Sequence, residues 1–410
     1  MASRTCFRLP DGETEIWIAG SAKGISNEYT VGSGNTVLAR WASDGVRTRL
    51  SPAMVNDELA EFGEVFSLGL ASDAGPPWLS GAADGSHREL GLAWAAVYAL
   101  WLHPDRRDDE VIAVSTDSGR VGEYMRCTGL GAVSPFPRVP PEPQAAVVYW
   151  LHRAAFWQGA GAPDSQHWLR ARPEVTAFPG FNGTLGVFAS QLGFTRRGNV
   201  CAVHPVRPPK PPPGAVVYSR FIVELGQQLR IRHIDAADPA HFATYARWQN
   251  SDRVHAAWRE RGPDEHHAAY LARQLADPHT MACVFEWDGE LAGYTELGWA
   301  REDNAACFFG AGCGVVVGEH DQNSHILVGE ERFRGGKRYQ AVATSIKHCC
   351  FLREPRTAQI IAEPQFDLSH VAIQSKYLPQ ERKKVVHLPH KTAVLFALQR
   401  DRFFQEAHFV

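Results

Sequence analysis

The stretch SHILVGEERFRGGKRYQAVATSIKHCCFL, Ser324 to Leu352, decides the fold of this chain. His325 to Val328 read as an apolar strand, and Arg334 to Arg338 form a charged glycine turn. Beyond the turn, Tyr339, Val342, Ile346, Cys349 and Cys350 fall on one stripe at helical spacing. Glycines ahead of a helix let the backbone approach a ligand closely. The unpaired first N–H groups and the helix dipole favour an anion there. Arg332, Arg334, Lys337 and Arg338 add positive charge. A phosphate or pyrophosphate suits this turn, although a solvated basic loop leading into a helix fits it as well. The motif is neither a GxxxxGK[ST] loop nor a GxGxxG turn.

Working outward, AQIIAE (Ala358 to Glu363) reads as a short buried strand, and TAVLFAL gives a further strand signal. Upstream, AHFATYARWQNSDRVHAAW and DEHHAAYLARQLA read as helices. MACVFEWDGELAGYTELGWA reads as two strands joined at Asp288-Gly289. The order predicts an α/β domain with a mixed sheet. Its N-terminal limit is predicted at VHPVRPPKPPPGAV (Val203 to Val216), which holds six prolines in fourteen residues. Such a segment is stiff and extended. The expected division is residues 1–202, a 203–216 linker and residues 217–410. In the first part EIWIAG and EVIAVST read as strands, and Leu90 to Leu102 as a buried helix. A second helix is expected from Ala145 to Phe156. TLGVFASQLGF followed by NVCAVHPV reads as a helix then a strand. No chemical motif emerges there.

Composition narrows the class. The 410 residues exceed one ordinary core and imply two domains of roughly 200 residues. A net charge of −3 without a long basic run leaves no nucleic-acid footprint. The longest apolar run near the start is too short to span a bilayer. Eight scattered cysteines without a CxxC pair, and no signal peptide, read as reduced thiols in a cytoplasmic protein. His320, Asp321 and His325 tempt as metal ligands, but no further ligand stands at a recognised distance, so no metal is expected.

Several pieces in order resemble the GNAT superfamily of acyl-CoA N-acyltransferases. More narrowly they resemble the hydroxyornithine and hydroxylysine acyltransferases of siderophore biosynthesis, the fungal branch above all. They are RWQNSDRVHAAW (Arg247 to Trp258), DPH (Asp277 to His279), AGYTELGW (Ala292 to Trp299), RED (Arg301 to Asp303) and HILVGEERFRGG. SIKHCCFLREPRTAQIIAEP (Ser345 to Pro364) and LPHKTAVLFALQRDRFFQ (Leu388 to Gln405) complete the set. The resemblance covers roughly Ile234 to Phe409. It implies a GNAT fold with a mixed central sheet, and a divergent GNAT-like N-terminal domain. Three departures touch the rim of the site and bear on the acceptor. The family's Asp-x-Gly-x-His reads Asp321-Gln322-Asn323-Ser324-His325, a Thr-Asn pair after Glu363-Pro364 is replaced by Gln365-Phe366, and the aromatic common at the helix start is changed to Gln340.

The resemblance also implies roles. CoA would bind Val328, Arg332, Phe333, Arg334, Gly335, Gly336, Lys337 and Arg338, with a backbone N–H polarising the thioester. His325 is the implied base and Glu363 its partner. Arg253 would hold the acceptor's carboxylate and Glu296 its ammonium, while Trp248, Trp258 and Trp299 wall its alkyl chain. The implied reaction is direct acyl transfer to the neutral nitrogen of N5-hydroxyornithine, giving a hydroxamate. Acetyl-CoA is the favoured donor, because the chain shows no peroxisomal tail of the kind found in members using bulkier donors. N6-hydroxylysine and anhydromevalonyl-CoA stay open. So do an ordinary-amine acyltransferase and a CoA-binding scaffold without turnover. The partners expected are these small molecules and a second copy in a homodimer, with neither nucleic acid nor membrane.

Overall fold

One strand plan occurs twice in the chain. The structure, a computed structural model, describes residues 4–23, 26–50, 61–71, 85–136, 138–139, 146–170, 192–205, 207–309, 315–367, 371 and 376–409. It divides into two compact units, one up to His167 and one of Trp168–Phe409.

In the first unit, β1 (Arg4–Arg8), β2 (Glu15–Lys23), β3 (Ser26–Ser33), β4 (Thr36–Arg49) and β5 (Phe62–Leu70) pair antiparallel in succession. Helix α1 (Gly85–Leu102) then crosses to β6 (Val111–Thr116), which runs parallel to β5. α2 (Gly119–Cys127), β7 (Gly131–Val133), β8 (Val148–His152) and the short α3 (Arg153–Trp157) follow. The sheet order is β1-β2-β3-β4-β5-β6-β8-β7. The apolar run predicted as a buried helix is α1, buried on every side from Leu92 to Leu102. The helix expected from Ala145 to Phe156 is strand over Val148–His152 and helical only from Arg153 on. Its Val-Tyr-Trp run suits a pleated surface, and β8 is paired on both edges by β6 and β7. The helix expected over 184–194 lies outside the described residues up to 191.

The second unit opens with a hairpin, β9 (Leu192–Arg197) and β10 (Val200–Pro205). Its main sheet begins with β11 (Val216–Ile222) and β12 (Gln227–His233). Three helices follow: α4 (Pro239–Gln249), α5 (Asp252–Trp258) and α6 (Asp264–Ala276). α4 and α5 are separate because Ser251 accepts the Val254 N–H and starts a new helix. Then come β13 (Thr280–Trp287), β14 (Glu290–Trp299), β15 (Gln322–Val328), α7 (Gly336–Arg353), β16 (Gln359–Ala362), β17 (Glu381–His387), β18 (Thr392–Gln399) and α8 (Arg400–Glu406). The order β11-β12-β13-β14-β15-β16-β18-β17 repeats that of the first sheet. Asp288 and Gly289 both have positive φ, as a tight hairpin turn requires.

The parallel pair β15–β16 sets the site. Its pairing comprises Gln322↔Ile360 and Asn323↔Ile361 and then stops, so the strands separate from Ser324 onward. Side chains alternate across β15. Gln322 and Ser324 face α7, where they bond the Cys350 carbonyl and Lys347. His325 and Leu327 face α4–α6, where Leu327 joins a core with Tyr245, Trp248, Leu271 and Tyr294.

The division at His167–Trp168 falls ahead of the proline-rich segment predicted as the linker. That segment is strapped onto the second unit. Lys210 donates to the carbonyls of Gln274, Leu275, Asp277 and Thr280 at 2.7–3.2 Å. Arg207 pairs bidentately with buried Glu302. Among the described residues, no helix is long and apolar enough to cross a membrane.

Candidate active site

Where β15 and β16 part, three side chains bridge the gap on the α4–α6 side. His325 Nδ1 donates to Glu296 Oε2 at 3.1 Å, and Nε2 donates to Glu363 Oε1 at 2.9 Å. Glu296 stands directly opposite His325 on β14, while Glu363 immediately follows β16. Both carboxylates are buried. The Tyr270 and Tyr294 hydroxyls donate to Glu296 Oε1 at 2.6 and 2.9 Å. Lys391 Nζ lies 3.6 Å from Glu363 Oε1. Glu363 Oε2 is buried and has no hydrogen-bond partner among the described residues.

The electrostatics follow from this row. Burial disfavours the imidazolium, but the Glu363 charge and hydrogen bonds to both carboxylates outweigh it and hold His325 well above its ordinary value. Burial likewise pushes Glu363 up, yet the attraction of His325 brings it down to about 2. Glu296 is held below its usual value against burial by the His325 bond. At neutral pH the row is therefore carboxylate, imidazolium, carboxylate. An imidazolium with both N–H groups engaged has no lone pair to accept a proton. The vacant acceptor in the row is Glu363 Oε2.

Asp303 joins the same face. It accepts from Asn323 Nδ2 at 2.8 Å, and burial together with repulsion from Glu363 raises its carboxyl. Asn323 stands where the resembled pattern has glycine. Its side chain fits because Gly298 lies opposite: a Cβ there would come within 2.2 Å of Asn323 Oδ1. The missing glycine is thus offset across the strand pair.

The glycine turn lies at the other end of the gap. Gly335 has φ 96° and Gly336 φ 31°, a region that side-chain-bearing residues rarely adopt. No side chain caps α7 at Gly335, and a Cβ on either glycine would meet nothing within 4 Å. The backbone beside this uncapped helix start is thus open on the side a Cβ would occupy, and uncapped first-turn N–H groups suit an anion. The surrounding cations have carboxylate or amide partners. Arg332 bonds Glu290 at 3.0 Å, Arg334 bonds Glu331 at 2.7 Å, Lys337 lies 3.3 Å from Glu224, and Arg338 bonds Gln227 at 3.0 Å. The three ion pairs are exposed on at least one side, and exposed pairs are worth about 0–1 kcal/mol, so a phosphate can displace them. Phe333 is buried beneath Arg332 and Arg338. After Val328, the Gly329 and Glu330 N–H groups both donate to the Ala292 carbonyl, a bulge that turns the chain out of the sheet.

The acceptor-side expectations divide. Of the three tryptophans, Trp258 packs edge-on to His325, with ring centroids 6.3 Å apart. Trp248 does not. It is buried in the core, donates to Glu330 at 2.9 Å, and leaves no room for a Cβ on Gly329. Trp299 lies on the α7 side between the Arg207 and Arg353 guanidiniums. Arg253 is committed to Glu331 and to the carbonyls of Val328 and Gly329, so it fixes the strand end. Glu296 is already engaged through both oxygens, Oε1 by two tyrosine hydroxyls and Oε2 by His325. Sequence reasoning assigns no role to Tyr270, Tyr294, Asp303 or Lys391, although Tyr294 and Asp303 lie within AGYTELGW and RED, because nothing local marks side chains whose partners are distant in the chain.

Among the described residues one trio, His204, His279 and Glu302, has metal-ligand atoms within 4.8 Å of one another. Arg207 already occupies both Glu302 oxygens, and each histidine Nε2 bonds Thr195 Oγ1. A guanidinium in that place opposes a metal ion. The group anchors the β9–β10 hairpin.

A mixed sheet opened between two parallel strands, with an anion-ready helix start beside it, is the architecture of an acyl-CoA acyltransferase. The acetyltransferase (GNAT) domain family matches residues 238–387. An acyltransferase of Zymoseptoria tritici is 56% identical, over 98% of this chain and 97% of its own. The hydroxyornithine transacylase of Ajellomyces capsulatus is 33% identical, over 78% of this chain and 73% of its own. An aminoglycoside acetyltransferase solved with coenzyme A is 17% identical, covers 43% of this chain and 96% of its own, and superposes with a TM-score of 0.37. The chain belongs to the GNAT acyltransferases, in the siderophore-biosynthesis family that includes the hydroxyornithine transacylases. Its co-substrate is an acyl-CoA.

Proposed function

We propose that this acyltransferase moves an acetyl group from acetyl-CoA to the hydroxylamine nitrogen of N5-hydroxyornithine, forming a hydroxamate. The observation that carries this reading is the buried row Glu296–His325–Glu363, with its vacant Glu363 Oε2 at the mouth of the strand gap. A hydroxylamine nitrogen is weakly basic and arrives neutral. It needs no strong base to attack, only an acceptor for the proton it sheds as the C–N bond forms. A carboxylate held ionised by a fixed cation suits that task. Glu363 Oε2 takes the proton, while His325 keeps Glu363 charged and oriented. Glu296, braced by Tyr270 and Tyr294, holds His325 in turn. The CoA pyrophosphate lies on Gly335–Gly336, and its arm runs along the edge of β15 left open beyond Asn323. Most of the rate comes from this positioning. The name of the Ajellomyces relative supports hydroxyornithine as acceptor.

The test is free-thiol release with acetyl-CoA and four acceptors: N5-hydroxyornithine, N6-hydroxylysine, ornithine and lysine. Hydroxamate is followed by its Fe(III) colour. Turnover with hydroxyornithine alone is expected. Turnover with ornithine or lysine and no colour would refute the hydroxylamine reading. Turnover confined to a bulkier acyl-CoA would refute the acetyl donor.

A further inference from the structure

Lys347 is buried in the middle of α7, and the reaction described above does not use it. Its relative exposure is 3%, and among the described residues its ammonium makes one hydrogen bond, to Ser324 Oγ at 2.7 Å. Burying an ammonium costs several kcal/mol. A methionine of similar volume would fill the same space. Among the described residues two of its three N–H donors have no partner, so packing alone does not account for it.

Its position is particular. Ser324 is the first residue of β15 beyond the paired Asn323, so it marks the apex where the strands part. His325, next in the chain, faces the acceptor side, so Ser324 faces the α7 side. Lys347 stands 11 residues into α7, about 16 Å along the axis from Gly336. A pantetheine arm equals four to five extended residues, or ~15 Å. A CoA whose pyrophosphate sits on Gly335–Gly336 therefore brings its sulfur to the level of Lys347 and Ser324. Glu363 lies close enough across the apex for its charge to be felt at Lys347.

We propose that the Ser324 hydroxyl donates a proton to the departing CoA thiolate and that Lys347 resupplies Ser324. This rests on the acyl-transfer reading and deepens it. The acceptor nitrogen bonds the thioester carbon, and its proton passes to Glu363 Oε2. The C–S bond then breaks, and its electron pair stays on sulfur. The thiolate takes the Ser324 proton, and Ser324 takes one from Lys347. One proton leaves the acceptor, one reaches the thiol, and no other reactant is needed. Solvent exchange on product release resets Glu363 and Lys347. The two faces of the gap thus divide the work: carboxylates on the acceptor side receive a proton, and an ammonium on the α7 side gives one.

The donor is matched to its task. Burial brings Lys347 down to about 8, against smaller opposing effects from Cys350 on its own helix and Glu363 across the gap. A thiol titrates at about 8.5, so transfer from such an ammonium to a thiolate is close to balanced.

The experiment is the pH dependence of kcat for thiol release, in wild type, Lys347→Met, Lys347→Arg and Ser324→Ala. Melting temperature and acyl-CoA binding are measured alongside. Wild-type kcat is expected to fall above pH ~8 as Lys347 loses its proton. Lys347→Met should lower kcat about 10²-fold, leave acyl-CoA binding in place, and abolish that alkaline limb. Ser324→Ala, a small change that spares the fold, should do the same. Lys347→Arg should move the limb to higher pH. A Lys347→Met enzyme with wild-type kcat, or with reduced kcat and the limb intact, would overturn the relay. Because thiol release is read with any productive acceptor, the relay can fail while hydroxamate formation stands, and the converse.

Discussion

Replacing His325 with glutamine separates the two roles a histidine could play here. If His325 were the base, the variant would lose about 10²–10⁴-fold in kcat at every pH. The structure argues otherwise, because both ring nitrogens already donate to carboxylates. In the variant Glu363 keeps its vacant oxygen but loses the cation that holds it at about 2. Burial then raises the carboxyl, while Lys391 and Lys347 continue to draw it down. The sign is upward, by about 2.5 pH units or more, to 4.5 or above, because burial is the largest influence on this carboxyl and the two His325 contributions that oppose it are gone. Glu363 is still ionised at pH 7, so kcat there should stay within about tenfold of wild type. An acid limb should appear at pH ~4.5 or above, absent from wild type above pH ~3. Measuring kcat with saturating acceptor keeps the substrate's own ionisation out of the profile. Stability should fall by about 3–5 kcal/mol, since two buried carboxylates lose their shared cation. The assay therefore runs well below the melting temperature, with acyl-CoA binding as the check of fold. A folded, CoA-binding variant that is inactive from pH 5 to pH 9 would refute this assignment and restore His325 as the base.

Glu363→Gln should lose about 10²–10⁴-fold in kcat at all pH values, because no vacant carboxylate remains. Lowering a buried carboxyl from 4.5 to about 2 also corresponds to roughly 3 kcal/mol of folding stability, present above pH 4.5 and lost as pH falls through about 2. Differential melting at pH 7 and pH 3 checks that. Gly335→Ala forces a side chain into a φ of 96°; a strained site costs about 1–3 kcal/mol, and acyl-CoA affinity, read by calorimetry, should weaken about tenfold with acceptor binding unchanged.

Local signals made much of this molecule legible. The glycine turn, the strand before it and the helix after it stand where Ser324 to Leu352 place them, because their periodicity and turn chemistry agree. His325 and Glu363 were legible through ordered motifs, and they meet at 2.9 Å. What stayed illegible depends on register. Glu296 reads as a loose anionic anchor in sequence, yet pairing with His325 across β14 and β15 commits it to the imidazole. Trp248 reads as a site wall, yet the close approach of Gly329 shows it to be core. The proline-rich segment reads as a linker because proline cannot join a sheet interior. The chain does not show that Arg207 meets Glu302, 95 residues away, and binds the segment down. β8 reads as helix in sequence because a run of small and aromatic residues suits helix and strand alike until its neighbours are known.

The repeated strand order leads to a stoichiometry. In the first unit β5 and β6 occupy the place of β15 and β16, with α1 in the place of α7. There the parallel pairing runs from Val65↔Ala113 to Leu68↔Thr116, the last residue of β6. The Ser67 and Ser115 hydroxyls bond across it at 3.1 Å. No gap opens along the length of β6, so no strand edge is left for a pantetheine arm. Where the second unit inserts α4–α6 between β12 and β13, only two residues separate β2 from β3. The wall that faces an acceptor is therefore missing from this part of the first unit. Calorimetric titration of the full chain with acetyl-CoA should thus saturate at one equivalent per chain. Gly335→Ala should weaken that one transition without exposing another. Two equivalents, or a second transition that survives the Gly335→Ala change, would show that the first sheet opens in solution in a way its pairing does not provide for.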